Sequence, residues 1–255
     1  MELTKELIML NKINDIKKLS VKSQIELKEW KTKDGLYKDP GEYEVFDEEW
    51  KTIKVGEIWT CKDCSTKWFE RDVVIPKEFD GEKVVLDLEF GGEGLVRIDG
   101  KIISAITSYL VPQKATRTRV LVSQKAVGGT KINVSIEAGM NYMEFSRFRK
   151  QGSKSIDYKI KTAVLASINQ EVESFYFDAL VAYESLLVLK NPFDYVNHSN
   201  TKLPRDFAAF MEACGKDNYM YKKVSQALLK SLSYVDIDFD ADRVLNSIPV
   251  AKKTL

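Results

Sequence analysis

The sequence predicts an antiparallel β-sandwich or barrel, entered by one helix and followed by an all-α segment. Three observations carry that fold class. Between Lys67 and Leu165, about seven to nine short runs alternate apolar and polar residues, with turn signals every ~8 to 12 residues. Those runs are half polar, which argues against a parallel sheet covered on both faces. At Ile168 the apolar period changes from two to the helical value.

The elements follow in order. Leu3, Leu7, Leu10, Ile13 and Ile16 recur at helical spacing and predict an N-terminal helix over the first twenty residues. Residues 21 to 65 hold short extended pieces, IELKEW, YEVF and WKTIKV, with turn signals in KDG and DPG. In KWFERDVVI, Phe69, Arg71, Val73 and Ile75 share one strand face and Trp68, Glu70, Asp72 and Val74 the other. Pro76 ends the run, because proline cannot donate to a ladder. In VVLDLEF, Val84, Leu86, Leu88 and Phe90 point one way and Asp87 and Glu89 the other. LVRI runs into Asp99-Gly100, the favoured pair for a tight hairpin turn, and KIIS returns. TRVLVS, KINVSIEA and SIDYKIKTAVL come next. The last reads as one strand with Ile156, Tyr158, Ile160 and Val164 on a single face.

From Asn169, a residue suited to cap a helix, Val172, Phe175, Tyr176, Ala179, Leu180, Tyr183, Leu186 and Leu187 form a broad apolar face that Pro192 closes. PRDFAAFMEACG predicts a second helix, with Pro204 near its start and Gly215 at its stop. A third runs from Asn218 to Leu232 with Tyr221, Val224, Ala227, Leu228 and Leu232 aligned. DADRVLNSIP predicts a final short turn or two. The resulting division is 1–49 for the N-terminal helix and extended segment, 50–166 for the sandwich, and 167–255 for the helical segment.

Charge is balanced, 39 basic against 38 acidic residues. No basic excess calls for nucleic acid and no polybasic run for a membrane surface. No stretch approaches the ~18 apolar residues of a membrane span, so the expected location is cytoplasmic. Cys61 and Cys64 in WTCKDCST have zinc-knuckle spacing, but a closed zinc site needs four ligands. The other soft candidates, Cys214 and His198, lie far off in sequence. A metal site, a redox pair and a plain loop pair all stay open, the loop pair being favoured because a strand rather than a helix follows. His198, the single histidine, sits in the polar stretch FDYVNHSNTKLP and predicts no catalytic pair. DIDFDAD lacks the glycine and closing glutamate of a calcium loop. Trp30, Trp50, Trp59 and Trp68 fit either a core or a sugar-stacking platform. The glycine cluster GGEG, residues 91 to 94, leads into a strand rather than a helix, so it reads as a bulge or tight corner instead of a phosphate loop. No catalytic, cofactor-binding or metal residue is assigned.

Four segments carry a resemblance: KWFERDVVIP, VVLDLEFGGEGLVRIDGK, INVSIEAGMN and AVLASINQEVESFYFDALVAYESL, in that order. Over roughly Trp50 to Leu255 the chain resembles the N-terminal region of class II α-mannosidases, glycoside hydrolase family 38, of the cytosolic and bacterial type. The resemblance implies a galactose-binding-like jelly roll, then helices, then a catalytic domain that binds zinc and supplies an aspartate nucleophile. The catalytic block of form GHxHxDxxWLWP does not occur in these 255 residues. The resemblance therefore implies a non-catalytic part, present as an isolated portion, a split gene or a truncated product. Zinc would belong to the full-length enzyme alone. The implied partners are the catalytic domain of the same enzyme, a carbohydrate, and a second copy of the chain through Leu228, Leu232 and the Val172–Leu187 face. The rival expectation is a free-standing carbohydrate-binding module.

Overall fold

The computed structural model describes residues 5–39, 42–46, 49–62, 65–110, 115–141, 154–190, 219–235 and 241–255. The chain divides into two compact units. Ser23–Ile168 is one, and Met1–Lys22 together with Asn169–Leu255 is the other.

Period-two alternation in the first unit becomes β-sheet. The strands are β1 (Val21–Glu26), β2 (Glu29–Asp39), β3 (Glu42–Val45), β4 (Lys51–Lys54), β5 (Ile58–Lys62), β6 (Ser65–Val74) and β7 (Lys83–Glu89). They continue as β8 (Glu93–Ile98), β9 (Lys101–Leu110), β10 (Ala115–Arg117), β11 (Arg119–Ser123), β12 (Lys131–Gly139), β13 (Ser155–Lys159) and β14 (Thr162–Ile168). The larger sheet has the order β10-β9-β8-β12-β6-β2-β3, with β4 added on β2. The smaller is β1-β14-β7-β11, and β13 pairs with β5 as a separate ribbon. The non-sequential order is that of a jelly roll.

The sandwich begins earlier than the 50–166 division expects. β2 pairs with β6 from Lys31 opposite Glu70 to Leu36 opposite Ser65, and with β4 through Trp30 opposite Ile53. The extended pieces of residues 21–49 are therefore sheet strands, and Trp30 and Leu27 join the core.

Register explains which residues that core contains. On β12, Ile136 lies opposite Phe69 of β6 and Val96 of β8, and all three are buried. Val84, Leu86 and Leu88 of β7 and Ala163 and Leu165 of β14 meet them from the smaller sheet. Two indoles close the packing without an orphaned donor. Trp30 Nε1 donates to the Leu27 carbonyl at 2.9 Å and Trp59 Nε1 to the Phe90 carbonyl at 2.7 Å.

The glycine cluster is where the chain leaves the smaller sheet after β7 and enters the larger one at β8. Gly91 and Gly92 have φ of 77° and 63°. A Cβ on Gly91 would stand 2.6 Å from Tyr158 Cβ, and one on Gly92 would stand 2.4 Å from the Gly139 carbonyl oxygen. The corner reading holds: only glycine satisfies both the backbone conformation and the close approach. Asp99 and Gly100, at φ of 50° and 77°, form the turn between β8 and β9 as the sequence predicts.

Two expectations are corrected. SIDYKIKTAVL is not one strand but two, β13 and β14, in different sheets. Between them Ile160 donates to Glu57 and Lys161 to Glu89, and the inward phase slips by one residue. Ala163 and Leu165 are buried in place of Val164. Arg71 shares the phase of Phe69 and Val73, yet its guanidinium donates to the Glu29 carbonyl.

The other unit is helical: α1 (Lys5–Leu19), α2 (Gln170–Lys190), α3 (Tyr219–Tyr234) and α4 (Ala241–Thr254). α1 buries Met9, Ile13 and Ile16, a stripe at i, i+4, i+7. Asn169 caps α2 as expected, its Oδ1 accepting from Glu171 at 3.1 Å and Val172 at 3.3 Å. α2 buries Val172, Phe175, Tyr176, Ala179, Tyr183 and Leu186. The last segment is a 14-residue helix rather than a short turn, and it runs through Pro249. Proline forfeits one helical hydrogen bond. Burial of Ile248 and Ala251 within this unit offsets that loss, and Ser231 Oγ donates to the Ala251 carbonyl. Leu228 and Leu232, expected on a surface for self-association, are buried within the same unit. The segment PRDFAAFMEACG lies outside the described residues.

Glu6 ties three of these helices. It accepts from Lys190 Nζ at 2.6 Å and from the Tyr221 hydroxyl at 3.0 Å. The Lys190 hydrogen bond holds its carboxyl down at about 2, from an ordinary value of 4.5. A depressed acid stabilises the fold above its unfolded pKa and ceases to do so as pH falls through the folded one. The Glu6 contribution is thus full above pH ~4.5 and gone below pH ~2. Lys190 is 47% exposed, so solvent screening limits the effect. Glu6→Gln is expected to cost about 1 kcal/mol at pH 7. Urea unfolding should show the gap between variant and wild type closing as pH falls through 4.5 toward 2.

Candidate functional site: the outer face of the larger sheet

The face of the eight-stranded sheet turned away from the core carries ordered polar and aromatic rows. In one row Lys33 lies opposite Trp68, Trp68 opposite Glu137, and Glu137 opposite Leu95. In the next, Lys31, Glu70, Ser135 and Arg97 follow one another across β2, β6, β12 and β8. Strand alternation puts these side chains outward because Phe69, Val96, Val134 and Ile136 point in.

Arg97 reaches from the second row to two members of the first. Its Nη2 lies 2.8 Å from Glu137 Oε2 and its guanidinium carbon 5.2 Å from the Trp68 ring centroid. The two charged side chains are only 17% and 12% exposed, so this ion pair is better shielded than an ordinary surface pair. Lys33 Nζ sits 5.2 Å from the Trp50 ring centroid, a second cation over an indole. Asn133 organises the next row. Its side-chain amide donates to Glu70 Oε1 at 2.8 Å and to Asp72 Oδ1 at 2.9 Å, while its backbone N–H donates to Asp99 Oδ1 at 2.8 Å.

Three clefts lie along this face. One of about 250 Å³ is lined by Trp50, Trp68, Phe69, Glu70, Asn133 and Ser135. A neighbour of about 370 Å³ shares Glu70 and Asn133 and adds Lys31, Thr52, Arg71 and Asp72 among its walls. The third, about 460 Å³, lies toward the glycine corner and includes Glu93, Leu95, Ala105, Glu137 and Met140. Burial raises the Glu93 carboxyl above its usual range.

The four tryptophans differ in burial. Trp30 and Trp59 are core, whereas Trp50 is 41% exposed and lines the smallest cleft with Trp68. Cys61 is buried in β5, its sulfur 3.6 Å from the carbonyl oxygens of Lys62 and Ser65. Cys64, Cys214, His198 and residues 236–240 of the DIDFDAD stretch lie outside the described residues. Among the described residues no three His, Cys, Asp or Glu side chains converge to hold a metal ion. They offer no fit for the zinc that the family resemblance implies, and no chemical step is assigned to one. Sequence reading missed the Arg97–Glu137 pair and the Asn133 bridge. Their only signal is outward placement on neighbouring strands, which needs the register to be known.

The family model for the α-mannosidase jelly-roll domain matches residues 23–166. These fall within the Ser23–Ile168 unit. Comparison with curated proteins finds no match. Among solved structures, a β-glucuronidase from Ruminococcus gnavus in complex with D-glucuronic acid is 13% identical. It aligns at a TM-score of 0.39 over 57% of this chain and 29% of its own. The Faecalibacterium prausnitzii β-glucuronidase is 12% identical, at a TM-score of 0.37 over 58% of this chain and 32% of its own. The chain thus spans less than a third of either enzyme's length.

Proposed function

This chain belongs to the α-mannosidase jelly-roll domain family, and from that membership we propose that it is the non-catalytic N-terminal part of a class II α-mannosidase, glycoside hydrolase family 38, of the cytosolic and bacterial type. One observation carries the reading: the matched stretch, residues 23–166, takes in strands of both sheets and the glycine corner between them. Hydrolysis of terminal α-mannosides would then be the work of a catalytic domain, zinc-dependent and retaining, that partners this one. The sandwich supplies a rigid platform, since its large side chains are buried and its buried indoles are hydrogen-bonded. The helices of residues 167–255 are the stretch proposed to meet that partner. They present Phe177, Val181, Tyr219 and Met220 to solvent, and these replace Leu228 and Leu232 as the residues through which copies of the chain would pair. Cytoplasmic location is part of the same proposal. No described helix is long and apolar enough to cross a membrane.

The purified chain is expected to hydrolyse no aryl α-mannoside, with or without added zinc. Release of p-nitrophenol from its α-mannoside measures this directly. Turnover that persists through purification to homogeneity and disappears with a point substitution in this chain would overturn the non-catalytic assignment.

A further inference from the structure

We propose that the cleft between Trp50 and Trp68 binds one ring of a neutral, hydroxyl-rich pyranoside, and that the adjoining cleft takes the next ring. The inference concerns this face of the sandwich and does not depend on a catalytic partner.

The aromatic half of the argument begins with Trp50. At 41% exposed it presents far more indole to solvent than Trp30 or Trp59, which are almost wholly buried. It lines the cleft of about 250 Å³ together with Trp68. Each indole has a cation over its ring at 5.2 Å, Lys33 for Trp50 and Arg97 for Trp68. Those contacts hold the rings in place before any ligand arrives, which lowers the ordering cost of binding. An indole face carries negative quadrupole charge and attracts weakly positive C–H groups. The face of a pyranose ring is a patch of such groups.

The polar half fixes the ligand class. Glu70, Asn133 and Ser135 share the cleft with the two indoles. They provide a carboxylate acceptor, an amide and a hydroxyl, the mixture that a sugar hydroxyl can use because it both donates and accepts. The Asn133 amide holds Glu70 at 2.8 Å and Asp72 at 2.9 Å, so the carboxylates are oriented beforehand. Charge decides between neutral and ionic ligands. Lys31 lies opposite Glu70, and Arg97 pairs with Glu137 at 2.8 Å. With opposite charges interleaved across the face, an anion or a cation gains little net attraction, whereas a neutral hydroxyl gains from both signs.

Length follows from the neighbouring cleft. It measures about 370 Å³ and shares Glu70 and Asn133 with the first. A glycan of two rings can therefore lie across both and use the same two side chains at the junction. A single ring, covering only one cleft, binds more weakly.

Titration of the full chain, followed by tryptophan indole N–H signals in NMR and by calorimetry, tests this. The probes are methyl α-D-mannopyranoside, methyl β-D-glucopyranoside, an α-linked mannobiose, and glucosamine and glucuronate as charged controls. The expected result is binding of neutral glycosides, with the disaccharide at least about tenfold tighter than the monosaccharide. Trp50→Ala should weaken it about tenfold while leaving the unfolding midpoint in place, because Trp50 lies outside the core. Ser135→Ala should weaken it by a smaller factor. Selective binding of the glucoside over the mannosides would uphold this site while counting against the mannosidase reading. The inference is overturned if no neutral glycoside binds, if the charged controls bind more tightly, or if binding is indifferent to both substitutions. Concentration-dependent shifts of the Trp50 signal without ligand, marking a second copy on this face, would overturn it as well.

Discussion

Gly92→Ala is expected to destabilise the sandwich by about 3 kcal/mol or more, from two separable causes. The first is backbone: Gly92 sits at φ 63°, where an L-residue loses about 1–2 kcal/mol. The second is space. The new methyl would stand 2.4 Å from the Gly139 carbonyl oxygen, a backbone atom that cannot swing aside, with the Tyr158 ring at 3.2 Å. Overpacking of this kind typically costs a further ~1–3 kcal/mol. Gly100 separates the causes. It has φ 77° but nothing within 4 Å of its absent Cβ, so Gly100→Ala should lose only the backbone share, about 1 kcal/mol. Urea midpoints of the two variants, read by tryptophan fluorescence, decide the matter. Equal losses would mean that the corner relaxes freely and that its glycines serve conformation alone.

A comparable loss is expected from Phe69→Ala, about 3–5 kcal/mol. Phe69 is fully buried on β6 and meets Trp59 at 5.4 Å and Phe90 at 5.0 Å between ring centroids, both edge to face. Phe90 in turn meets Trp30 at 5.1 Å, and Trp59 meets Tyr158 at 5.0 Å. Removing the ring therefore opens a cavity at the middle of an aromatic chain that links the larger sheet to the corner. The lining cannot collapse far, because Trp59 is anchored through Nε1 to the Phe90 carbonyl at 2.7 Å. Phe69→Leu should recover more than half of the loss by refilling most of the volume. Chemical denaturation of both variants measures it. A Phe69→Ala loss below about 1 kcal/mol would show that the five rings do not act as one packed group.

The strands that could be read from sequence are those with one clean apolar face, such as β7, whose Val84, Leu86 and Leu88 are all buried. The β8–β9 turn was legible because Asp99-Gly100 is a local chemical signal, and the α2 start because Asn169 is another. Legibility failed where local signals compete with tertiary ones. The phase slip after Ile160 cannot be seen without knowing that Lys161 donates to Glu89 of β7. DADRVLNSIP reads as a short turn or two, yet burial of Ile248 and Ala251 carries α4 past Pro249. The early extended pieces IELKEW, YEVF and WKTIKV are legible, but their place in the sandwich is not, because β1 is mostly exposed and β2 is heavily charged. The outer face was the least legible part. Trp50 and Trp30 are the same residue type with opposite fates, and Arg97 meets Glu137 only through pairing across 40 positions of sequence.

The helical unit is discontinuous in sequence, and this shapes the order in which the chain can fold. Met9, Ile13 and Ile16 precede the sheet strands in the chain, yet the groups that bury them lie beyond Asn169. About 150 residues intervene, a loop whose closure costs grow only as the logarithm of its length but whose search is slow. Ser23–Ile168 has its own core and can condense before the helices beyond Asn169 are made. α1 buries its apolar stripe only once α2, α3 and α4 are present. A slow refolding phase of this chain should therefore belong to α1 docking rather than to the sheets.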